Sequence, residues 1–158
     1  MKIAEIGAGN GRFAVKVAKR VGDSGCVYAN DIDMRAILFM KNRIRKEGIK
    51  NMAVKKGCVV DPKLPDDYFD KIYVINSYSH FNDPVLLLSN VRRSLKRNGE
   101  LIIIEYSPDK MKGGFGHTTS KTKIVSDAEK AGYYLVSMKD FLQFDNIYIF
   151  KVKSTIKL

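Results

Sequence analysis

The chain has 158 residues, of which 45% are hydrophobic and 28% are charged, and this composition excludes a disordered or fibrous protein. Its length predicts one domain over residues 1–158. The longest apolar runs, such as residues 101–104, are far below the roughly 20 residues that cross a bilayer, and no signal peptide is indicated, so we expect a cytoplasmic protein without a membrane segment. Cys26 and Cys58 lack partners at zinc-binding spacings, so neither a metal site nor a disulfide framework is predicted.

The net charge of +11 comes from lysine and arginine residues that concentrate in two segments. The first covers residues 41–56 and the second covers residues 92–97. Such an excess of positive charge attracts polyanions, which makes nucleic acid one partner to consider. Solvated outer faces of surface helices explain the same pattern, and we favour that interpretation because cations also stabilise helix C-termini.

Short apolar runs alternate with amphipathic helical patterns, which predicts an α/β protein with a mainly parallel sheet and helices on both faces. Asp33 is a predicted helix N-cap and Gly48 a predicted helix end. The two last strand-like runs are separated by Asp145-Asn146, and so short a connection fits an antiparallel hairpin. The predicted strands are residues 2–6, 26–30, 52–56, 69–75, 100–105, 133–138 (or as far as 144) and 147–153, and the predicted helices are residues 11–21, 34–47, 84–97 and 121–131.

The first strand ends in a glycine-rich loop, residues 7–11, that leads directly into a helix. Glycines in such a loop allow a tight turn and let a ligand approach the backbone. The fingerprint of nicotinamide-binding proteins needs its third glycine one residue later, where this chain has Arg12. The loop therefore predicts a nucleotide-like ligand, and its spacing disfavours a nicotinamide oxidoreductase.

Two acidic residues narrow the choice of ligand. Glu5, two residues before the first glycine, would place a carboxylate beside a cationic amino group, which suits an amino-acid-like ligand better than a diphosphate. Asp31, just after the second predicted strand, can accept hydrogen bonds from both hydroxyls of a ribose. A sulfonium nucleoside that carries an amino acid satisfies both residues.

These segments resemble the motifs of class I S-adenosylmethionine-dependent methyltransferases, in the methyltransferase-domain group that is similar to quinone-biosynthesis and arsenite-methylating enzymes. The resemblance implies a Rossmann-like three-layer sandwich whose seven strands are ordered 3-2-1-4-5-7-6, with strand 7 antiparallel. It also implies S-adenosyl-L-methionine as the cofactor. The matching segments are residues 5–11, 27–33, 69–80 and 92–101.

The resemblance also implies the residues that hold the cofactor. Glu5 would face the amino group, Asp31 the ribose and Ile32 the adenine ring. Many relatives have an aspartate after the third strand for the adenine amino group, whereas this chain has Gly57-Cys58-Val59, so we expect backbone contacts there. The complete set of expected cofactor-binding residues is Glu5, Gly7, Ala8, Gly9, Gly11, Asp31, Ile32, Cys58, Val59, Asn76 and Ser77.

Methyl transfer from a sulfonium is an in-line displacement, so the protein mainly aligns the acceptor, and a base is needed only if the acceptor must lose a proton. His80 and Tyr78, beyond the fourth strand, are the predicted catalytic residues, since strand C-termini form the cleft of such sheets. His117, Tyr106 and Asp109 belong to or flank the loop after the fifth strand, which in this architecture faces the acceptor. A lid role for the glycines at 113–116 is a weaker alternative to an ordinary loop.

We expect a small-molecule acceptor and keep two alternatives. The first is an RNA-directed methyltransferase that uses the basic surface. The second is an inactive subunit that binds the cofactor and supports a partner enzyme. The second arises because the first strand begins at Lys2, without the N-terminal helices that usually cover the cofactor in the family. A homodimer or another partner would then cover an open cofactor site.

Overall fold

The structure is a computed structural model in which residues 1–111 and 117–153 are described. Seven strands form one sheet in the order β3-β2-β1-β4-β5-β7-β6. β7 pairs antiparallel with both β5 and β6, and the remaining pairs are parallel, so the predicted topology is confirmed. The elements are β1 Lys2–Ile6, α1 Arg12–Val21, β2 Cys26–Asp31, α2 Met34–Glu47, β3 Met52–Lys56, β4 Phe69–Ile75, a 3₁₀ turn Tyr78–His80, α3 Pro84–Arg92, β5 Leu95–Tyr106, α4 Lys121–Lys130, β6 Tyr133–Lys139 and β7 Asp145–Val152.

The helices form two layers that cover opposite faces of the sheet. α1 and α2 bury Ala14, Ala18, Ile37 and Met40 in one apolar cluster, and α3 and α4 contribute to the other. This arrangement is the predicted three-layer sandwich, and burial on both faces explains the continuous apolar run over residues 101–104 of β5. Within the described ranges no helix combines the length and apolar character that a membrane span requires.

Local signals set both ends of α2 as predicted and the start of α1 to within one residue. Gly11 adopts φ 69° immediately before α1, so the helix begins at Arg12, one residue later than expected. The Asp33 side chain accepts a hydrogen bond from the Arg35 N–H at 2.8 Å and thereby caps α2. Gly48 has φ 63° and its N–H donates to the Arg45 carbonyl, a conformation that favours glycine at a helix C-terminus.

The predicted helix over residues 84–97 is wrong over its last five residues. α3 ends at Arg92, and Leu95 begins β5 by pairing with Phe69 of β4. The Ser94 carbonyl accepts from the N–H of Phe69 at 2.9 Å, which turns the chain from helix to strand. Leu95 is buried as expected, but as a strand residue. A buried leucine at helical spacing therefore did not distinguish a last helical turn from the start of a strand.

The predicted turn at Asp145-Asn146 is also wrong, because both residues belong to β7. Asp145 pairs with Tyr106 and Asn146 with Glu105, so β7 begins two residues earlier than expected. Residues 140–144 make the connection from β6 instead. Asp and Asn are typical turn residues, and this preference was outweighed here by pairing with β5.

Candidate cofactor and active site

A cleft of about 500 Å³ lies at the carboxyl ends of β1, β2 and β4. Parallel strands end at the same edge of a sheet, so the loops after these strands meet there, which is where open α/β sheets bind ligands. The cleft is lined by Ile6, Gly7, Asn30, Asp31, Ile32, Cys58, Val59, Asn76, Ser77, His80, Phe81, Asn82 and Leu87.

The glycine turn packs closely against the loop after β4. Gly7 has φ 71°, and a Cβ at this position would lie 2.7 Å from the Cβ of Ser77. Ser77 is fixed in turn, because its Oγ donates a hydrogen bond to the Ile6 carbonyl at 3.1 Å. Gly9 also has a positive φ of 53°, but a Cβ there would meet no atom within 4 Å. The turn therefore needs glycine at residue 7 for space as well as for conformation.

Asp31 is oriented by two backbone N–H groups. Its Oδ2 accepts from the Gly9 N–H at 2.7 Å, and its Oδ1 accepts from the Asp33 N–H at 3.0 Å. Each carboxylate oxygen can accept a further hydrogen bond. Asp31 is thus held at the edge of the cleft with free acceptor capacity on both oxygens, which is what a pair of ribose hydroxyls requires.

Glu5 does not line the cleft; it is almost completely buried in β1, with 4% of its surface exposed. Burial raises the pKa of its carboxyl from 4.5 to about 8, and the Ala14 N–H partly opposes this by donating to the carboxylate. Its Oε2 has no hydrogen-bond partner within residues 1–111 and 117–153. A buried acceptor without a partner is costly, so Glu5 is suited to a cationic or donating group from a ligand.

Asn76 supplies a second acceptor of the same kind. It has φ 47°, and its N–H donates to the Ile104 carbonyl at 2.9 Å, which fixes the end of β4. Its side-chain Oδ1 is buried and has no partner in the described part of the chain. The asparagine lines the cleft, so a ligand that donates a hydrogen bond would satisfy it.

The far end of the cleft is apolar and is supported by a buried amide. Ile32 and Val59 line it with 52% and 49% of their surfaces exposed. Asn30 supports the loop that carries Cys58 and Val59, because its Nδ2 donates to the Pro62 carbonyl at 2.8 Å and to the Lys55 carbonyl at 3.1 Å. The side chains of Ile32 and Val59 provide an apolar surface that a purine ring would cover.

The 3₁₀ turn presents His80 to the cleft and is held in place by a buried carboxylate. Glu105 accepts from the Tyr78 N–H at 2.9 Å and from the Ser79 Oγ at 3.2 Å, and burial raises its pKa. The His80 ring packs edge-on against His117, with ring centroids 4.8 Å apart. The two histidines of the chain therefore meet across the loops that follow β4 and β5.

Tyr78 lies outside the cofactor cleft. Only 2% of its surface is exposed, and its hydroxyl donates to Asp127 at 2.8 Å. Burial, followed by the hydrogen bond to Asp127, raises the pKa of this hydroxyl. Tyr78 contributes to the wall of a second cavity of about 250 Å³, which also contains His117 and Phe81. This geometry favours a structural role for Tyr78, and its predicted catalytic role is not supported by it.

The structure brings most of the predicted site residues together. Tyr106 and Asp109 do not line the cleft, and residues 113–116, the predicted lid, lie outside the described residues. Four residues of the expected cofactor-binding set, Glu5, Ala8, Gly9 and Gly11, do not line the cleft either, and Ala8 is buried against α1 and α2. Residues that line the cleft as predicted are Gly7, Asp31, Ile32, Cys58, Val59, Asn76, Ser77 and His80.

Several residues of the site were not predicted from the sequence. Phe81 and Asn82 directly follow His80 and could have been included on that basis, whereas Leu87 comes from α3 without any motif. Asn30 precedes Asp31, but nothing local indicated that its amide would support the β3 loop. Glu105 follows the apolar run over residues 101–104, and its place in the sequence does not indicate which groups its carboxylate contacts.

The residues present fit S-adenosylmethionine. The buried acceptors of Glu5 and Asn76 can receive donors from an amino acid moiety, Asp31 can receive a ribose, and the apolar end can receive adenine. Gly7 has no side chain, so the backbone of the turn beside these groups is not covered by a side chain at this position. A nicotinamide dinucleotide would need a phosphate-binding helix start, where this chain has Arg12 in place of the third glycine.

Residues 1–146 of the chain match the family described as methyltransferase domain. The curated relatives include the ubiquinone/menaquinone biosynthesis C-methyltransferases of Bordetella avium and of Vibrio parahaemolyticus. The first is 31% identical over 110 residues, which cover 68% of this chain, and the second is 30% identical over 107 residues, which cover 67%. The chain spans 41% of the length of each of these relatives.

Solved structures agree with the fold. A SAM-dependent methyltransferase of Aquifex aeolicus superposes with a TM-score of 0.88 at 24% identity, over 96% of this chain and 82% of that one. A TehB-like SAM-dependent methyltransferase of Corynebacterium glutamicum gives 0.75 at 19% identity, over 96% and 80%. With the family match, the predicted fold, family and cofactor are confirmed. The chain belongs to the methyltransferase-domain family of class I S-adenosylmethionine-dependent methyltransferases.

Proposed function

We propose that this chain transfers a methyl group from S-adenosylmethionine to a small-molecule acceptor. The observation that carries the proposal is the convergence of Asp31, the Gly7 turn and His80 on one cleft, together with the buried, unpaired oxygen of Glu5 in the strand that leads into that turn. Asp31, the Gly7 turn and Glu5 suit a nucleoside that carries an amino acid. His80 adds a group that can contact an acceptor at the same site.

The bound cofactor supplies an electrophilic methyl group on a positively charged sulfur. The chain's own residues would align it: Asp31 would accept hydrogen bonds from the ribose hydroxyls, and Glu5 would accept from the amino group. His80 lies on the cleft wall, where it orients the acceptor and accepts a proton from it when the acceptor must lose one. Phe81 and Leu87 provide apolar wall that excludes water beside the reacting atoms.

A small acceptor is supported by the size and arrangement of the cavities. The second cavity, of about 250 Å³, shares Phe81 with the cofactor cleft. His80 lines the cleft, His117 lines the second cavity, and their rings touch. A compact acceptor can therefore reach the histidine pair from the side opposite the cofactor. The relatives' names, which refer to quinone biosynthesis, agree with a small-molecule acceptor.

Isothermal titration calorimetry with S-adenosylhomocysteine and with NAD tests the cofactor. We expect saturable binding of S-adenosylhomocysteine and none of NAD. Binding of NAD alone would contradict the assignment. Release of S-adenosylhomocysteine from the cofactor, measured against a panel of phenols, quinols, carboxylates and amines, then identifies the acceptor. Cofactor binding without turnover on any compound would instead support the inactive-subunit alternative.

A further inference from the structure

The layer formed by α1 and α2 carries a strong excess of positive charge. The two helices contain nine lysine and arginine residues and a single acidic residue, Glu47. Both helices pack on the same side of the sheet, so these charges belong to one surface. Glu47 accepts from Arg43 at 2.7 Å and from Lys19 at 2.6 Å, which ties the C-terminal ends of the two helices together.

The other basic segment of the sequence behaves differently. Arg93 faces Asp61 and Asp66, each at 3.9 Å, and Lys96 pairs with Asp70 at 2.6 Å. Acidic residues thus pair with two of the four cations at residues 92–97, whereas the α1–α2 layer has one carboxylate for nine cations. Solvated helix surfaces usually mix both signs of charge, so the excess of cations on α1 and α2 favours an anionic binding partner.

A groove between α1 and α2 gives this surface a shape as well as a charge. It encloses about 380 Å³ and is lined by three cations, Arg12, Arg43 and Lys46, and by one carboxylate, Glu47, so it keeps an excess of two positive charges. The amides of Asn10 and Asn42 add neutral hydrogen-bonding groups to the same walls. We refer to it as the α1–α2 groove.

An aromatic ring completes the groove. Phe39 lines it and has 57% of its surface exposed, although phenylalanine is usually buried. A positively charged groove with an exposed aromatic ring and neutral amides is the combination that binds single-stranded nucleic acids, because phosphates contact the cations and a base stacks on the ring.

We propose that the α1–α2 groove is a docking surface for single-stranded nucleic acid, separate from the cofactor cleft. Exposed Met34 and Leu38 also raise the question of a lipid surface. A flat membrane favours apolar side chains that protrude across the whole contact face, and α1 exposes no large apolar side chain. Phe39 instead lies in a concave groove with arginines and amides, so the geometry favours a nucleic acid strand.

The test measures binding of a labelled single-stranded RNA of about twenty nucleotides by fluorescence anisotropy over a salt series. If about four phosphates are contacted, affinity falls about 50-fold between about 50 and about 200 mM salt. Phe39→Ala should weaken binding at least about fivefold, since a stacked base contributes roughly 1 kcal/mol or more.

A matched pair of double variants separates the groove from general charge. Arg12→Ser with Lys46→Ser removes two cations from the groove, whereas Arg97→Ser with Lys130→Ser removes two exposed cations elsewhere. We expect a large loss of RNA affinity in the first and a small one in the second, with unchanged thermal unfolding in both. For Phe39→Ala, the affinities for RNA and for S-adenosylhomocysteine are both measured. A loss of RNA affinity with unchanged S-adenosylhomocysteine affinity separates the groove from the cofactor site.

Three results would overturn the proposal. Equal losses in the two double variants would mean that only the net charge attracts RNA. Unchanged RNA binding in Phe39→Ala would remove the stacking contact. Binding to vesicles with anionic headgroups, without binding to RNA, would assign the surface to a membrane.

Discussion

The two sides of the active-site cleft are built in different ways. The cofactor side is made mainly by backbone: glycines with positive φ, and N–H groups of Gly9 and Asp33 that orient Asp31. The acceptor side is made by side chains, with His80 supported by Glu105 through its turn and by His117 through ring contact. A backbone site tolerates few residue types and leaves a sequence motif, whereas a side-chain site can change with the acceptor and leaves none. The predictions below follow this division.

The largest effect on activity is expected on the acceptor side. His80→Ala should lower kcat about 100-fold or more if the acceptor loses a proton to this histidine, the usual range for a general base. Its affinity for S-adenosylhomocysteine should stay within about twofold, because the cofactor side is backbone-built. Steady-state kinetics and calorimetry on the same preparation measure both. Parallel losses in kcat and cofactor affinity would show that the two sides are not separate.

On the cofactor side, Gly7 and Gly9 can be compared because both have a positive φ but differ in the free space around them. Gly7→Ala places a Cβ 2.7 Å from that of Ser77, whereas Gly9→Ala meets nothing within 4 Å. Both substitutions carry roughly 1–2 kcal/mol of left-handed strain. We expect Gly7→Ala to lose at least about tenfold more cofactor affinity than Gly9→Ala, since 1.4 kcal/mol of additional overlap is about tenfold. Equal losses in calorimetric titrations would mean that the close approach is not needed.

Glu5 should make cofactor binding depend on pH. Burial holds its pKa at about 8, so its carboxyl is mostly protonated at neutral pH without ligand. An ammonium group stabilises the carboxylate, so binding releases a proton and affinity for S-adenosylhomocysteine rises towards pH 8. The slope is at most about tenfold per pH unit. Glu5→Gln should flatten this profile.

The stability of the unliganded protein provides the control for Glu5. A carboxyl whose pKa is raised from 4.5 to about 8 contributes stability that is complete below 4.5 and is lost as the pH rises through 8. Glu5→Gln should therefore raise Tm at about pH 8 and change it little at about pH 4. If the affinity of the parent protein for S-adenosylhomocysteine does not change between about pH 4 and about pH 8, the contact between Glu5 and the ammonium group is disproved.

The smallest effect on activity is expected for Tyr78, although sequence alone pointed to it as catalytic. Tyr78→Phe removes the hydroxyl that donates to buried Asp127, so the free energy of unfolding should fall by about 1–2 kcal/mol. Asp127 keeps Lys123 as a partner at 2.8 Å, which limits the loss. We expect kcat within about twofold of the parent. A loss of activity as large as that of His80→Ala would restore the catalytic assignment.

The sequence allowed prediction of those parts of the fold that depend on local chemistry. Asp33 and Gly48 set the ends of α2 through contacts within a few residues, and both were predicted. Leu95 was misassigned because its strand partner, Phe69, is distant in sequence. The prediction of a turn at Asp145-Asn146 failed for the same reason, since their partners lie on β5. Local preference decides an element only where no distant strand competes for it.

The same distinction holds for the site. Gly7 and Asp31 belong to motifs that a ligand requires, and both line the cleft as predicted. Leu87 and Glu105 act through packing and through a hydrogen bond from residues far along the chain, which no spacing rule reveals. The roles assigned to individual residues, the single domain over residues 1–158 and a partner or second copy over the cleft remain predictions.

The most direct test of the central claim compares two aspartates at opposite ends of β2. Asp31 accepts a hydrogen bond from the Gly9 N–H of the glycine turn, whereas Asp23 is exposed in the loop before the strand. Calorimetric titration of S-adenosylhomocysteine should show Asp31→Ala weakened by about 5- to 150-fold, the equivalent of roughly 1–3 kcal/mol, and Asp23→Ala unchanged. An Asp31→Ala protein that binds as tightly as the parent would contradict the assignment of this cleft to the cofactor.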